Sequence, residues 1–501
     1  MIDFEGMVRT ASIAPAWTID ADAAAWRKIA LACSDEGGRL VSIWGQDDGE
    51  GFLVFAAFVF SQGMLIAKCR AIDGKFRNLV DIFPCAGRMQ RAVADMLGIV
   101  AEEGDGRPWL SHGAWPEFPL RRDYAPAGDF APVEEHYPFV TVEGEGVHEI
   151  AVGPVHAGTI EPGHFRFQVV GEKVLRLEER LGYKHKGIEK AFEGMALFEG
   201  AELAARISGD STVAYSWAYA MAAECICGIV PQPRASFLRG LFLERERIAN
   251  HLADLGALGN DAGFAFGLAQ FSVIREDMLR ANNEMFGHRY LMDAIVPGGV
   301  SRDVDGQGKS RLLGQCEAIR KKLADLHEIY IDHTGLQDRF LTTGRVSPEL
   351  AAKLGLTGLA GRASRIACDL REDHPYPPYD MLDVAMATHH AGDVAARVSV
   401  RFEEIVESLR LIETLIGKMP EGDIMSEIPA CSGFGVGWVE GFRGEVLVAL
   451  EAENGIIRRA HAHDPSWQNW PVLEFAVIGN IVPDFPLINK SFNLSYSGHD
   501  L

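Results

Sequence analysis

The sequence predicts an α+β protein: a small α/β unit at the N-terminus, then a mainly α-helical body that carries a small β-sheet. Three observations lead there. Before about residue 124, β-branched and aromatic runs alternate with turn residues, and only two helical stretches intervene. Residues 125–147 break the hydrophobic pattern with Ala125-Pro-Ala-Gly-Asp129 and Pro132-Val-Glu-Glu135, the composition of a linker. From about residue 185 onward, apolar residues recur at helical spacing. The chain therefore divides into 1–124, a linker over 125–147, and a body over 148–501. Its 501 residues suffice for two or more domains and a large core.

In the N-terminal unit, 21–34 reads as a helix with Trp26, Ile29 and Ala30 on one face. Segments 39–44, 51–60 and 64–72 read as strands, with Asp47-Asp-Gly49 as the turn between the first two. Segment 83–98 reads as a turn into a helix that Gly98 ends. In the body, 150–156 and 165–170 read as short strands. The strongest helical pattern covers 237–252. Phe237, Leu238, Leu241, Phe242, Ile248 and Leu252 form its apolar stripe, and Arg239, Glu246, Arg247 and Asn250 its polar positions. Two further long helices are expected over 308–331 and 392–416. Neither an internal repeat nor a low-complexity segment is present.

Charge and composition narrow the function. The apolar fraction is 48% and the charged fraction 24%, an ordinary globular balance. The net charge of −22 disfavours nucleic acid and anionic lipid as direct partners, though not a basic protein subunit. The start Met1-Ile-Asp-Phe-Glu5 is acidic, unlike a signal peptide. The most apolar run, 52–60, is too short to span a bilayer and suits a buried strand. A membrane link is therefore expected through partner subunits only. Eight cysteines, at 33, 69, 85, 225, 227, 316, 368 and 431, show no Cys-x-x-Cys spacing. They read as reduced thiols of a cytoplasmic chain. Cys225 and Cys227 would point about 200° apart on a helix, which suits small apolar residues better than a shared metal. Gly435-Val-Gly437 continues as Trp438-Val-Glu-Gly441, out of step with a dinucleotide fingerprint, so NAD(H) binding is not expected.

An ordered series of motifs runs the length of the chain. It opens with Gly153-Pro-Val-His-Ala-Gly-Thr-Ile-Glu-Pro-Gly-His-Phe-Arg166 and Tyr183-Lys-His-Lys-Gly-Ile-Glu-Lys190. It continues through Pro231-Gln-Pro-Arg-Ala235, Leu243-Glu-Arg-Glu-Arg-Ile-Ala-Asn-His-Leu252, Gly256-Ala-Leu-Gly-Asn-Asp-Ala-Gly263, Arg275-Glu276 and Gly298-Gly-Val-Ser-Arg-Asp303. Asp369-Leu-Arg-Glu-Asp-His-Pro-Tyr376, Tyr379-Asp380 and Asn469-Trp-Pro471 follow, and Asn480-Ile-Val-Pro-Asp-Phe-Pro-Leu-Ile-Asn-Lys-Ser491 closes it. Together these resemble the large subunit shared by group 4 nickel-iron hydrogenases and respiratory complex I (its 49-kDa subunit). Pro119-Leu-Arg-Arg-Asp-Tyr124 resembles the end of the 30-kDa complex I subunit, and formate hydrogenlyase-type chains fuse the two in this order. The resemblance implies a hydrogenase-large-subunit-like body behind a 30-kDa-like domain.

The resemblance also marks departures. Family hydrogenases hold nickel with two Cys-x-x-Cys pairs; here those positions read Ser208 and Ser211, then Ser495 and Gly498. A low-valent nickel-iron centre needs soft, ionised sulfur, which serine and glycine do not supply. No metal is therefore expected on this chain. Complex I uses the vacated cavity for a quinone headgroup, held by a histidine that aligns with His185 and a tyrosine whose place is taken by Gly209, beside Asp210. Tyr183, Tyr215 and Tyr219 are the tyrosines nearby. Asp261 matches the carboxylate that raises the histidine's proton affinity, and Glu189 the hydrogenase proton relay. Asp369 and Arg371 are read as a core ion pair near the cavity, which Ser208, Gly209, Asp210, Ser211, Asp369, Arg371, Ser495 and Gly498 would line. Ser208 and Ser211 have no base at triad spacing and read as hydrogen-bonded small residues rather than nucleophiles. His461 and His463 read as a solvated loop, and His156 and His164 as shaping a turn.

The resemblance implies a nickel-free subunit of a membrane-associated oxidoreductase. A partner iron–sulfur small subunit would bring a [4Fe-4S] cluster to the face holding 185–211, and integral membrane antiporter-like subunits would move protons or other ions. No cofactor is expected on this chain itself, with a quinone as the candidate acceptor and the cytoplasmic face of the cell membrane as the location. The alternatives are a non-redox coupling subunit and, if the cysteine positions are misaligned, a true hydrogenase subunit.

Overall fold

The computed structural model describes residues 6–113, 115, 118–124, 137–156 and 160–501, so most of the expected linker, 125–136, lies outside the described residues. The N-terminal sheet runs in the order Val8–Arg9, Ala16–Ala21, Gly63–Arg70, Phe52–Phe60, Arg39–Asp47. Ala16–Ala21 and Gly63–Arg70 pair in parallel, and the other neighbours are antiparallel. Two helices follow the sequence reading closely. Ala23–Asp35 is capped by Asp22, whose carboxylate accepts from the Ala24 and Ala25 amides, and Ala86–Leu97 ends at Gly98 with φ 73°.

Why the 52–60 run is apolar throughout follows from the pleat. Val54, Ala56 and Phe58 join a core with Trp26, Ile29 and Val93 of the two helices. Phe55, Ala57 and Val59 point the other way, into the core built by the body. The boundary near residue 124 is thus one of sequence only. The two large hydrophobic cores both run across it, the one containing Trp26 extending to Trp470 and Phe485.

The body holds one antiparallel sheet of Val147–Val152, His164–Val170 and Lys173–Arg180. The body also contains five long helices: Thr212–Cys227, Pro233–Asp261, Ala265–Phe286, Gly306–Asp332 and Val394–Lys418. A second antiparallel sheet, Gly433–Glu440, Glu445–Glu453 and Ile456–His463, went unread in the sequence. Its first strand is rich in glycine, a poor strand former. The glycines have a steric cause: a Cβ on Gly435 or Gly437 would fall on the carbonyl oxygens of Ala222 and Ala218. The strand lies directly on the helix Thr212–Cys227, running along it from Ile226 back to Ala214.

This sheet corrects the reading of His461 and His463 as a solvated loop. Both are buried on the strand Ile456–His463, 7% and 1% exposed. Ala460 and Ala462 face the helical core, and the histidines face the N-terminal unit. His461 Nε2 meets Ser42 Oγ at 2.8 Å and its ring stacks on Trp44, while His463 Nε2 bonds Gln468 Oε1 at 2.9 Å. Alternation was visible in the sequence, but a two-sided burial was not.

Candidate functional site

The chain brings the four positions 208, 211, 495 and 498 to one place. Ser211 is the residue before the helix Thr212–Cys227, and Ser495 caps the last helix, Tyr496–Asp500, accepting from the Gly498 amide at 2.8 Å. Ser208 Oγ and Ser495 Oγ lie 3.0 Å apart. Ser208 also donates to Asp210 Oδ1 at 2.7 Å, and Ser211 reaches the same oxygen at 3.4 Å. All three serines are buried. Two long-range ties hold the corner: the Lys186 ammonium donates to the Ile207 carbonyl at 2.6 Å, and the Lys186 amide to the Leu501 carbonyl at 2.7 Å.

Arg443 and Asp464, which motif reading did not place in the site, complete it together with Tyr215. Arg443 enters from the turn after Gly433–Glu440. Its guanidinium donates to Asp210 Oδ1 at 3.0 Å and to Ser211 Oγ at 3.1 Å, and also contacts Asp210 Oδ2 and the Asn493 carbonyl. Burial opposes ionisation of Asp210, but Arg443 and Ser208 hold its carboxyl below the usual range. At the fourth corner, Tyr215 donates to Asp464 Oδ2 at 3.0 Å. Burial and the Asp464 carboxylate push the Tyr215 phenol well up, so it stays protonated. A Cβ on Gly498 would lie 2.8 Å from Asp464 Cγ and 2.9 Å from the Tyr215 hydroxyl, which leaves room for glycine alone. Gly209 is exposed and open: a Cβ there meets nothing within 4 Å. Among the described residues, no three His, Cys, Asp or Glu side chains group as metal ligands.

His185 sits beside this corner with a different partner from the one expected. Its Nδ1 lies 2.7 Å from the carbonyl oxygen of Asp500 and its ring packs on Trp115. A carbonyl only accepts, so Nδ1 carries the proton and Nε2 is left as an acceptor. Burial pushes the imidazole below its ordinary value, against the pull of Asp500 and Glu189. Asp261 does not pair with His185. It stands exposed at the end of the helix Pro233–Asp261, with Lys490 as its nearby charge. The helix carries Asp261 past the site by its length.

Glu189, expected as a proton relay, points towards the N-terminal unit. It lies on the short helix Ile188–Phe192, receives Arg459 Nη2 at 2.9 Å and His461 Nδ1 at 2.5 Å, and is linked through His461 to Ser42. Burial works against its charge, yet Arg459 and His461 hold it down to about 2. His185, Glu189 and His461 border a cavity of about 40 Å³. Asp369 and Arg371 form a buried ion pair at 2.6 Å, but in a separate network. Arg371 also binds Glu244, which takes Tyr379 OH at 2.5 Å and Ser408 Oγ at 2.6 Å. Arg362 joins Glu404 and Glu440 alongside. None of these side chains bonds the serine corner directly.

Two family models match: the 30 Kd subunit of respiratory-chain NADH dehydrogenase over residues 19–130 and its 49 Kd subunit over 261–434. Formate hydrogenlyase subunit 5 of Escherichia coli (strain K12) is 32% identical over 436 residues, covering 83% of this chain and 75% of that protein. The chain belongs to the family of fused respiratory complex I and hydrogenase subunits. An NADH-quinone oxidoreductase subunit of Bacteroides thetaiotaomicron is 31% identical over 406 residues, 75% of this chain and 76% of that one. A chain of the membrane-bound sulfane sulfur reductase, an archaeal respiratory membrane complex, superposes with a TM-score of 0.67 at 25% identity, covering 71% of this chain and 99% of that chain. Relatives in the family are thus named as parts of oxidoreductase and hydrogenase complexes. No helix among the described residues of this member is long and apolar enough to cross a membrane.

Proposed function

We propose that this chain is the nickel-free large subunit of a membrane-associated respiratory oxidoreductase, taking electrons from a [4Fe-4S] cluster on a partner small subunit. One observation carries the reading: the Arg443 guanidinium, bound to Asp210 and Ser211, stands among Ser208, Ser211, Ser495 and Gly498. Three hydroxyls and a glycine offer no thiolate, and a fixed cation disfavours a second one beside it. The residues do not fit a nickel-iron centre. In this reading antiporter-like membrane subunits move protons or other ions when the site takes up a proton.

His185 is the group assigned to that proton. With Nδ1 held by a carbonyl, its Nε2 accepts a proton as charge builds on a nearby acceptor, a quinone being the candidate. The test is re-oxidation of the partner cluster by added quinone in the purified complex. The expected result is turnover that His185→Ala slows at least tenfold. A specific observation favours a second reading, a coupling subunit without redox chemistry: the cavity of about 40 Å³ beside His185 has room for a few waters, not a quinone ring. Re-oxidation that is absent, or unchanged in His185→Ala, decides for that reading.

A further inference from the structure

The N-terminal unit delivers one segment to His185, and that segment is firmly anchored. Asp95, on the helix Ala86–Leu97, takes the amides of Trp109, Leu110 and Ser111 on one oxygen at 2.7, 2.6 and 3.0 Å. The Arg180 guanidinium donates to the Trp109 and Ser111 carbonyls. His112 Nε2 lies 2.7 Å from the Leu181 carbonyl oxygen, and the His112 ring meets Tyr183 at 4.0 Å between centroids. Trp115 follows, and its indole meets the His185 imidazole at 4.5 Å between centroids, the planes tilted by 45°. Both residues are half-buried. Three carboxylates act on His185 from the elements around it, and each has other partners. Asp500 bonds His499 Nδ1 and the Lys184 amide, both at 2.8 Å. Glu189 holds Arg459 and His461, and Asp95 the three amides. Lys184 and Lys186 flank His185 in its own loop.

We propose that Trp115 is a positioning residue for His185: its indole fixes the plane of the imidazole and stabilises the imidazolium that forms when Nε2 takes up a proton. The inference rests on the proton role proposed above for His185. The Asp500 carbonyl pins one edge of the ring through Nδ1, which leaves the ring free to swing about that bond. Contact with the rigid indole removes that freedom and aims Nε2. A cation within about 6 Å of an indole centroid is attracted by the negative face of the ring, most strongly where water is excluded. The neutral imidazole gains no such attraction. Trp115 therefore raises the proton affinity of His185, the part expected of Asp261, and works against the burial that lowers it. The fused N-terminal unit thus supplies a working part of the site.

The test is the pH dependence of His185 acylation by diethyl pyrocarbonate in the purified complex, mapped by peptide mass spectrometry, since only the neutral imidazole reacts. No turnover is needed, so the result stands whether or not quinone re-oxidises the partner cluster. Trp115→Leu keeps an apolar cover and removes the aromatic face, and the midpoint is expected to fall by about half a pH unit or more. Trp115→Phe is expected to stay within about 0.3 unit of wild type. A Trp115 that merely covers the ring gives the opposite sign, because a looser cover admits water and moves the midpoint up. A midpoint unchanged or raised in Trp115→Leu, an equal fall in Trp115→Phe, or a wild-type His185 that no pH renders reactive overturns the proposal.

Discussion

Arg443 brings a buried cation to Asp210, and each accounts for the other. Arg443→Gln removes the charge and leaves a carboxylate, 38% exposed, with its hydroxyl partners only. The expected loss is about 2 kcal/mol, discounted for that exposure, read as a fall in urea midpoint. Adding Asp210→Asn is expected to recover part of it, since the unpaired charge is then gone. Glu189 gives a pH signature. Its folded value, about 2, lies below the ordinary value of about 4.3, so its contribution is complete at neutral pH and is lost as pH falls. Glu189→Gln is expected to cost about 3 kcal/mol at pH 7, and the gap to wild type to shrink between roughly pH 5 and pH 3. The serines and Gly498 were legible because their short motifs keep their spacing. Arg443 and Asp464 were not: a lone arginine in Gly441-Phe-Arg-Gly444 reads as a surface charge, and only long-range folding buries it. Asp261 failed for a related reason, since alignment gives a position and not the end of a helix.

The strand Gly433–Glu440 and the helix Thr212–Cys227 behave as one element. Their separation is set by glycines, so Gly437→Ala is expected to lower stability by about 2 kcal/mol or more, seen as a fall in melting temperature. The same steric logic closes the fourth corner of the site. Gly498→Cys is expected to destabilise by about 1–3 kcal/mol, whereas Ser208→Cys, where a side chain already sits, is tolerated. Long helices were legible from their stripes, and the observed Gly306–Asp332 and Val394–Lys418 lie within a few residues of expectation. The first strand of the C-terminal sheet was not, because its glycines serve packing against a helix and leave no periodic apolar signal.

At the scale of the molecule, the N-terminal unit is joined to the body by shared cores and by Ser42, His461 and Glu189. The sequence boundary near 124 says where one pattern stops; it carries no information on which faces are later covered. The whole assembly converges the C-terminal segment, the 207–211 turn and the turn holding Arg443 on one corner. Metal analysis of the purified complex tests the central claim most directly. Iron from the partner cluster with no stoichiometric nickel is the expected result, and one nickel per chain would contradict it.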